Sequence, residues 1–324
     1  MGAENANLMF YLGYVLAEIA DAFKRLHWPY LATALAFALW AYAVERRQAP
    51  DGRLGLGEYL LPANVFLHGS AKLDYRFFLF EKVFLKGLLA VVLIFAGKAA
   101  LEDTALIAGL GEGGRAPVII AYTVAIVLAY DFARFFAHWL MHKLPVLWEF
   151  HKVHHSAEVL TPITNYRMHP VDRILNKLFT LGAGAIVTAV FLVFFPGQLG
   201  LIEILGINAG QFLFYALASN LRHSHIWISY GPVANHVLMS PAQHQIHHSL
   251  EERHWDKNMG YLLSVWDWMF GTLYVPKGRE RFRMGLQEDD TDLNSVMALY
   301  FMPFKKAAAL ASGGLGRLVS REAR

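Results

Sequence analysis

The sequence predicts an all-α, polytopic membrane bundle of about four to six membrane helices beneath a cytoplasmic helical cap that carries a histidine-rich dimetal site. Three observations predict it. The 324 residues are 56% hydrophobic and only 17% charged, with a mean hydropathy of +0.33. The apolar residues gather in runs that cross or nearly cross a ~30 Å hydrocarbon core as helix. Beyond those runs lie His138-x-x-x-His142, His151-x-x-His154-His155 and His244-x-x-His247-His248. With 15 histidines in the chain, one H-x-x-H-H arises by chance in roughly 0.03 of such sequences, so two of them beside an H-x-x-x-H require a cause.

The elements follow in order. Met9 to Ala20 lacks a basic leader and is interrupted by Glu18, so it reads as an interfacial or membrane helix and not as a cleaved signal. Trp28 to Val44 is the first clear run. Residues 45 to 83, rich in Gly, Pro and charge, form a connection. Phe84 to Ala100 and Ala116 to His142 make a hairpin around the Gly109 to Gly114 turn. The second of these runs on through Asp131 and Arg134 to His142, about 27 residues or ~40 Å of helix, and so projects beyond the bilayer. Pro145 disfavours helical geometry at Leu144 and ends it, with helix resuming around Leu147 to His155. Leu178 to Phe195 and Leu199 to Ala218 form a hairpin that brings His223 to His248 back against His138 to His155. Trp255 to Tyr274 is aromatic and suits a cap at the interface. The tail Ala307 to Arg324, with Gly313-Gly314, reads as frayed or weakly amphipathic. Three regions result: residues 1–115 as N-terminal membrane helices and connection, 116–276 as the catalytic domain, and 277–324 as a cytoplasmic tail.

Flanking charge orients the bundle, because cytoplasmic loops carry the excess of Lys and Arg. Glu45 to Lys86 holds Arg46, Arg47, Arg53, Lys72, Arg76, Lys82 and Lys86, whereas Leu101 to Ala116 holds Arg115 alone beside Glu102, Asp103 and Glu112. Lys143, Lys152, Arg167, Arg173 and Lys177 follow His138. Both histidine regions therefore fall on the cytoplasmic face. This asymmetry accounts for the net charge of +3, and no nucleic-acid partner is read from it. The absence of cysteine excludes disulfides and thiolate ligands.

On a helix, positions i, i+3 and i+4 share a face, so the histidines of each box project together. Eight imidazoles exceed the needs of one ion, since a zinc site takes three or four protein ligands, and two metals are expected. Imidazole alone leaves Fe, Zn, Cu and Ni open. His223 and His225 diverge by about 200° on a regular helix, so both bind only if the helix unwinds there. His169, before Pro170, is open as a ligand, a donor to one, or a loop residue. His27, His68 and His254 stand alone and read as hydrogen-bonded structural groups, and His236 gives a weaker signal still. Asp131 precedes His138 by two turns and can orient its imidazole through the second ring nitrogen, or pair with Arg134; Asn258 and Asp267 are comparable candidates.

The three boxes, with Asn220-Leu-Arg-His-Ser-His225 between them and the endings Asp256-Lys-Asn-Met-Gly260 and Trp266 to Tyr274, resemble the fatty acid hydroxylase and sterol desaturase superfamily from about Ala116 to Pro276. The resemblance implies a membrane di-iron oxygenase with its histidines facing the cytosol, taking O2 and two electrons from a reductase chain to hydroxylate or desaturate a lipid or sterol-like substrate. It implies His138, His142, His151, His154, His155, His223, His244, His247 and His248 as ligands of two iron ions. Related fatty acid 2-hydroxylases have one more histidine four residues after the one matching His223. Trp227 stands there in this chain, which leaves His225, His169 or water for that position. With no long soluble segment to hold a fused cytochrome b5-like domain, a separate electron-transfer protein is expected, docking at Lys277 to Arg283.

Other functions are distinguishable. A divalent-metal transporter places polar ligands at mid-membrane in broken helices, whereas these boxes lie beyond the apolar runs. A bis-histidine haem protein leaves the adjacent His-His pairs unused. Within the oxygenases, a lipid headgroup or an ether-lipid alkyl chain is the alternative substrate to a sterol or fatty acyl chain.

Overall fold

The computed structural model describes residues 28–48, 55–85, 115–199, 219–287 and 292–322. Among them the fold is all-α, with two isolated bridges, Leu238 to Leu263 and Ser249 to Met284, as the only β pairing. The expected segments Met9 to Ala20, nearly all of Phe84 to Ala100 and of Leu199 to Ala218, and the Gly109 to Gly114 turn lie outside the described residues, as does His27.

Helices α1 (Trp28–Gln48), α2 (Leu56–Leu60), α3 (Ala63–Phe66) and α4 (Gly69–Leu79) precede a short π-helical stretch, Phe80–Leu85. In α1, Ala34, Ala38 and Ala41 recur at helical spacing and are buried, together with Tyr59, Leu221 and Ile226. The lone histidine His68 caps α4 by accepting from the Ser70 amide.

Two long helices form the centre. Helix α5 (Ala116–Lys143) and helix α7 (Pro170–Phe194) lie antiparallel and in contact. Tyr122 and Thr188 share a hydrogen bond of 2.9 Å. A Cβ on the buried Gly184 would stand 2.7 Å from the Tyr130 ring, so a glycine lets the helices approach there. These two are long and apolar enough to cross a membrane, which sustains membrane character but falls short of the expected four to six spans among the described residues. Their outer faces are apolar: Leu178, Leu181, Ile186, Val193 and Phe194 are between 62% and 75% exposed, as suits contact with lipid.

Between them sits α6 (Pro145–His155). Leu144 is extended at φ −101° and ψ 112°, as expected before proline, and Pro145 starts the helix at a position where no amide partner is needed. Helix resumes two residues earlier than Leu147. His169 caps α7 by accepting from the Val171 amide, and α7 starts eight residues before the apolar run at Leu178. Helices α8 (Gly231–Ala234), α9 (Pro241–His247) and α10 (Val265–Met269) build the cap over the histidines.

The tail belongs to a helix that starts eleven residues before Ala307. Val296–Glu322 is one helix, α11, which packs against α6 with Leu299 fully buried. His169 donates from Nε2 to the Tyr300 carbonyl at 3.0 Å. The buried side chains Leu299 and Ala307 lie in the first half of this helix, ahead of Gly313-Gly314.

Candidate metal centre

Nine histidines from four segments, α5, α6, the bend at 222–225 and α9, converge into two groups. His138, His142, His151, His155 and His247 form one, and His154, His223, His244 and His248 the other; within each group the candidate ligand atoms lie within 4.8 Å of one another. Local geometry explains the split. Adjacent residues on a helix point about 100° apart, so His154 and His155 on α6 serve different groups, as do His247 and His248. Helix α9 is set by Ser240, which forms a reciprocal capping box with Gln243 ahead of Pro241.

The ring nitrogens divide into an outer and an inner set. On the outside, His138 Nδ1 donates to the Met259 carbonyl at 2.8 Å, His154 Nδ1 to the Arg167 carbonyl at 3.1 Å and His247 Nδ1 to the Lys257 carbonyl at 2.7 Å. His151 Nδ1 meets the buried Asp172 carboxylate at 2.8 Å. A carbonyl only accepts, so Nδ1 carries the proton in the first three rings and Nε2 keeps its lone pair. Inside, the Nε2 atoms face one another: His151 and His155 at 3.2 Å, His154 and His223 at 3.0 Å, His223 and His244 at 2.9 Å, His244 and His248 at 3.3 Å. The buried Nε2 atoms of His138, His142 and His247 have no hydrogen-bond partner. Facing lone pairs and orphaned acceptors are costly when buried unless a cation lies among them, so the residues present fit two metal ions.

Electrostatics agree. Burial, and then the neighbouring imidazoles, hold His151, His155, His244, His247 and His248 well below the usual histidine range. Burial likewise lowers His154 to about 4. These rings are neutral at pH 7, the form that binds metal.

The outer contacts come from residues the boxes do not contain. Asp172, two residues into α7, was missed by sequence reasoning; its spacing after His169-Pro170 marks a helix start, but nothing marked its reach to His151. Arg167 is fully buried, its guanidinium paired with Asp74 and donating to the Ser70 carbonyl at 2.9 Å, and this fixes the carbonyl that receives His154. Asp256, 3.4 Å from His142 Nδ1, is held down to about 2 by that hydrogen bond first and, against partial burial, by Lys143.

The other candidates act a layer further out. Asp131 accepts from the Leu262 and Leu263 amides and Trp266 Nε1. It contacts neither His138 nor Arg134, whose guanidinium lies over the Tyr261 ring at 4.1 Å. Asp267 takes the Met259 and Gly260 amides. Asn258 donates to the Gln243 carbonyl and accepts the Tyr274 amide. Together they hold the loop whose carbonyls receive His138 and His247. Asp256 and Asn258 adopt φ of 55° and 56°, on either side of Lys257, a left-handed geometry that Asp and Asn tolerate.

His225 and His169 stand outside both groups. The 222–225 segment is a bend, and it points His223 inward while His225 donates from Nε2 to the Tyr59 carbonyl at 2.7 Å. His169 is engaged by Val171 and Tyr300. Trp227 packs beside Phe282. The lone His254 is hydrogen-bonded to Ser249 and Glu280.

Two cavities flank the histidines. One, of about 390 Å³, touches His138, His151, His154, His223 and His244 and opens along α5 and α7. The other, of about 420 Å³, touches His142, His155, His247 and His248 with Trp148 and Trp255.

Residues 123–272 match the family model described as Fatty acid hydroxylase. An ornithine lipid hydroxylase from Rhizobium tropici is 30% identical over 164 residues, covering 49% of this chain and 44% of that protein. An alkylglycerol monooxygenase from Danio rerio is 28% identical over 174 residues, 54% of this chain and 35% of the relative. A Delta(7)-sterol 5(6)-desaturase from Gibberella zeae is 30% identical over 152 residues, 47% and 37% respectively. The chain thus spans less than half the length of these curated relatives. No solved structure matches. Residues 123–272, which hold all nine of these histidines, are the part of the chain that belongs to the fatty acid hydroxylase family.

Proposed function

We propose that this protein is an integral-membrane di-iron oxygenase that uses O2 and two electrons to hydroxylate a C–H bond of a membrane lipid or sterol-like substrate, or to desaturate it. The observation that carries this reading is the pair of buried all-nitrogen groups, five and four histidines, with their Nε2 atoms turned inward and several of their Nδ1 protons tied outward. Bound iron would supply the redox chemistry that activates O2 toward an unactivated C–H bond. The chain's own part is positional. His138, His142, His151, His155 and His247 would hold one ion, and His154, His223, His244 and His248 the other. Asp172 and the carbonyls of Met259, Arg167 and Lys257 fix the tautomers. The 390 Å³ cavity presents the substrate to His138, His154 and His223 on one side, while the packed helices around the histidines exclude bulk water.

The bundle would hold four to six spans, with Phe84 to Ala100 and Leu199 to Ala218 among them, and would place the histidines at the cytoplasmic face. Residues 1–115, 116–276 and 277–324 would serve as membrane anchor, catalytic domain and tail, the tail closing over α6. Electrons would come from a separate protein and reductase, docking at Lys277 to Arg283. The alternative substrate, a lipid headgroup or ether-lipid alkyl chain, draws support from relatives named as an ornithine lipid hydroxylase and an alkylglycerol monooxygenase.

Elemental analysis of the purified protein should give two irons per chain without a haem absorption band. His155→Ala should lose metal and activity together, and full iron with full turnover in that variant would refute the ligand assignment. Lipid profiles of cells with and without the protein should differ by a hydroxylated or desaturated species.

A further inference from the structure

The 390 Å³ cavity is unusually cationic for a space between two apolar helices. Lys82, Arg134, Arg173, Lys177 and Arg222 line it, against one carboxylate, Asp172. That carboxylate is already engaged by His151 Nδ1 and by the Asn176 amide at 2.8 Å. Arg173 pairs with Glu81, and Arg222 donates to the Met239 carbonyl at 2.7 Å. Arg134 and Lys177 differ from these. Among the described residues neither forms an ion pair; Arg134 has only the face of Tyr261 beneath it.

Their position is as telling as their charge. Helix α5 runs toward the histidines and α7 runs away from them, so residues before His138 and after Asp172 share the membrane side of the site. Arg134 leaves α5 one turn before His138, about 5.4 Å along the axis, and Lys177 lies five residues after Asp172. Both stand near the histidine end of helices long and apolar enough to cross a membrane, where a charge without an ion-pair partner is a candidate for binding an opposite charge. The volume is that of a small-molecule pocket, enough for the polar end of an amphiphile with part of one chain but not for a whole two-chain lipid.

We propose that this cavity selects its substrate by an anionic group, a phosphate or a carboxylate, held between Arg134 and Lys177, so that the C–H bond presented to the histidines lies only a few bonds from that anion. The inference deepens the oxygenase reading and rests on it for the identity of the reaction. Arg134 supplies a planar fork suited to paired anion oxygens, stacked and aimed by Tyr261, and Lys177 supplies a mobile point charge at the mouth.

The test is binding, read independently of turnover, with iron-loaded protein in neutral detergent micelles. The probes share one oleoyl chain: oleoyl lysophosphatidate for phosphate, oleate for carboxylate, and monooleoylglycerol as the neutral control. The anionic probes should bind about tenfold tighter than the neutral one, the scale of one charge-assisted hydrogen bond. Whichever anion binds more tightly names the group. Arg134→Gln and Lys177→Gln should each remove about that tenfold without affecting monooleoylglycerol. Arg134→Lys should retain most of it, and the exposed Lys305→Gln on α11 should change nothing. If Arg134→Gln fails to fold, Lys177→Gln and Arg134→Lys carry the comparison. Equal affinity for neutral and anionic probes would overturn the proposal. So would a loss in Lys305→Gln matching that in Lys177→Gln, which would indicate unspecific attraction to a basic protein. Anion preference in protein that purifies without iron would leave this site standing while sinking the oxygenase reading; two irons with no anion preference would do the reverse.

Discussion

His223 and His225 are two residues apart, yet one enters a histidine group that could hold a metal and the other holds the Tyr59 carbonyl. Spacing said that only one of the two serves on a regular helix, and the bend at 222–225 decides which. His223→Ala should therefore lose one of two ions, whereas His225→Ala should keep both, measured as metal per chain. Asp172 supplies the second contact of the same kind as the carbonyls. Removing a residue that orients a ligand costs roughly 10–100-fold in metal affinity, so Asp172→Ala should release metal to a chelator at correspondingly lower concentration while the helix content is unchanged. Asp172 was illegible in sequence because an acidic residue in a first helical turn has a sufficient local explanation in the helix dipole.

At the scale of elements, the loop 256–264 does for the site what no helix does, since its carbonyls at Lys257 and Met259 receive two imidazoles. Gly260 is the residue that permits it. A Cβ there would meet the Leu263 carbonyl oxygen at 2.6 Å and Asp267 Oδ2 at 2.7 Å. Gly260→Ala must displace backbone or a buried carboxylate, and should cost about 2 kcal/mol or more, visible as a lowered Tm and as partial loss of metal. The helices themselves were largely written in the sequence. The break at Leu144-Pro145, the start at Pro170 and the box Ser240-Pro241-Ala242-Gln243 are local signals, and local backbone geometry obeys them. The start of the helix at 296 was not, because Leu299 in its first turn is buried against α6, a contact that composition does not reveal.

Across the whole molecule, the buried imidazoles couple stability to pH. His154 ordinarily titrates at 6.5 and is held at about 4 when folded, and His151, His155, His244, His247 and His248 shift in the same direction. Between those values the unfolded chain takes up protons that the folded chain refuses, so stability falls as pH drops from about 6.5 toward 4 and is greatest above that window. The Tm followed by circular dichroism should decline through this range, with metal released in parallel, and should be flat from pH 7 to 8.

The sequence by itself determined the helical class, the membrane character of its long apolar runs, and eight of the nine histidines, because hydrophobic periodicity and i, i+3, i+4 spacing are local properties of a chain, while resemblance to a known family supplied His223. Tertiary structure decided how those nine divide into five and four, which carbonyls and which carboxylate fix their tautomers, and that His169 and His225 are spent on holding the fold. Those outcomes depend on contacts between segments as far apart as Asp131 and Trp266, and no local pattern encodes the distance between two such residues until the helices around them are packed.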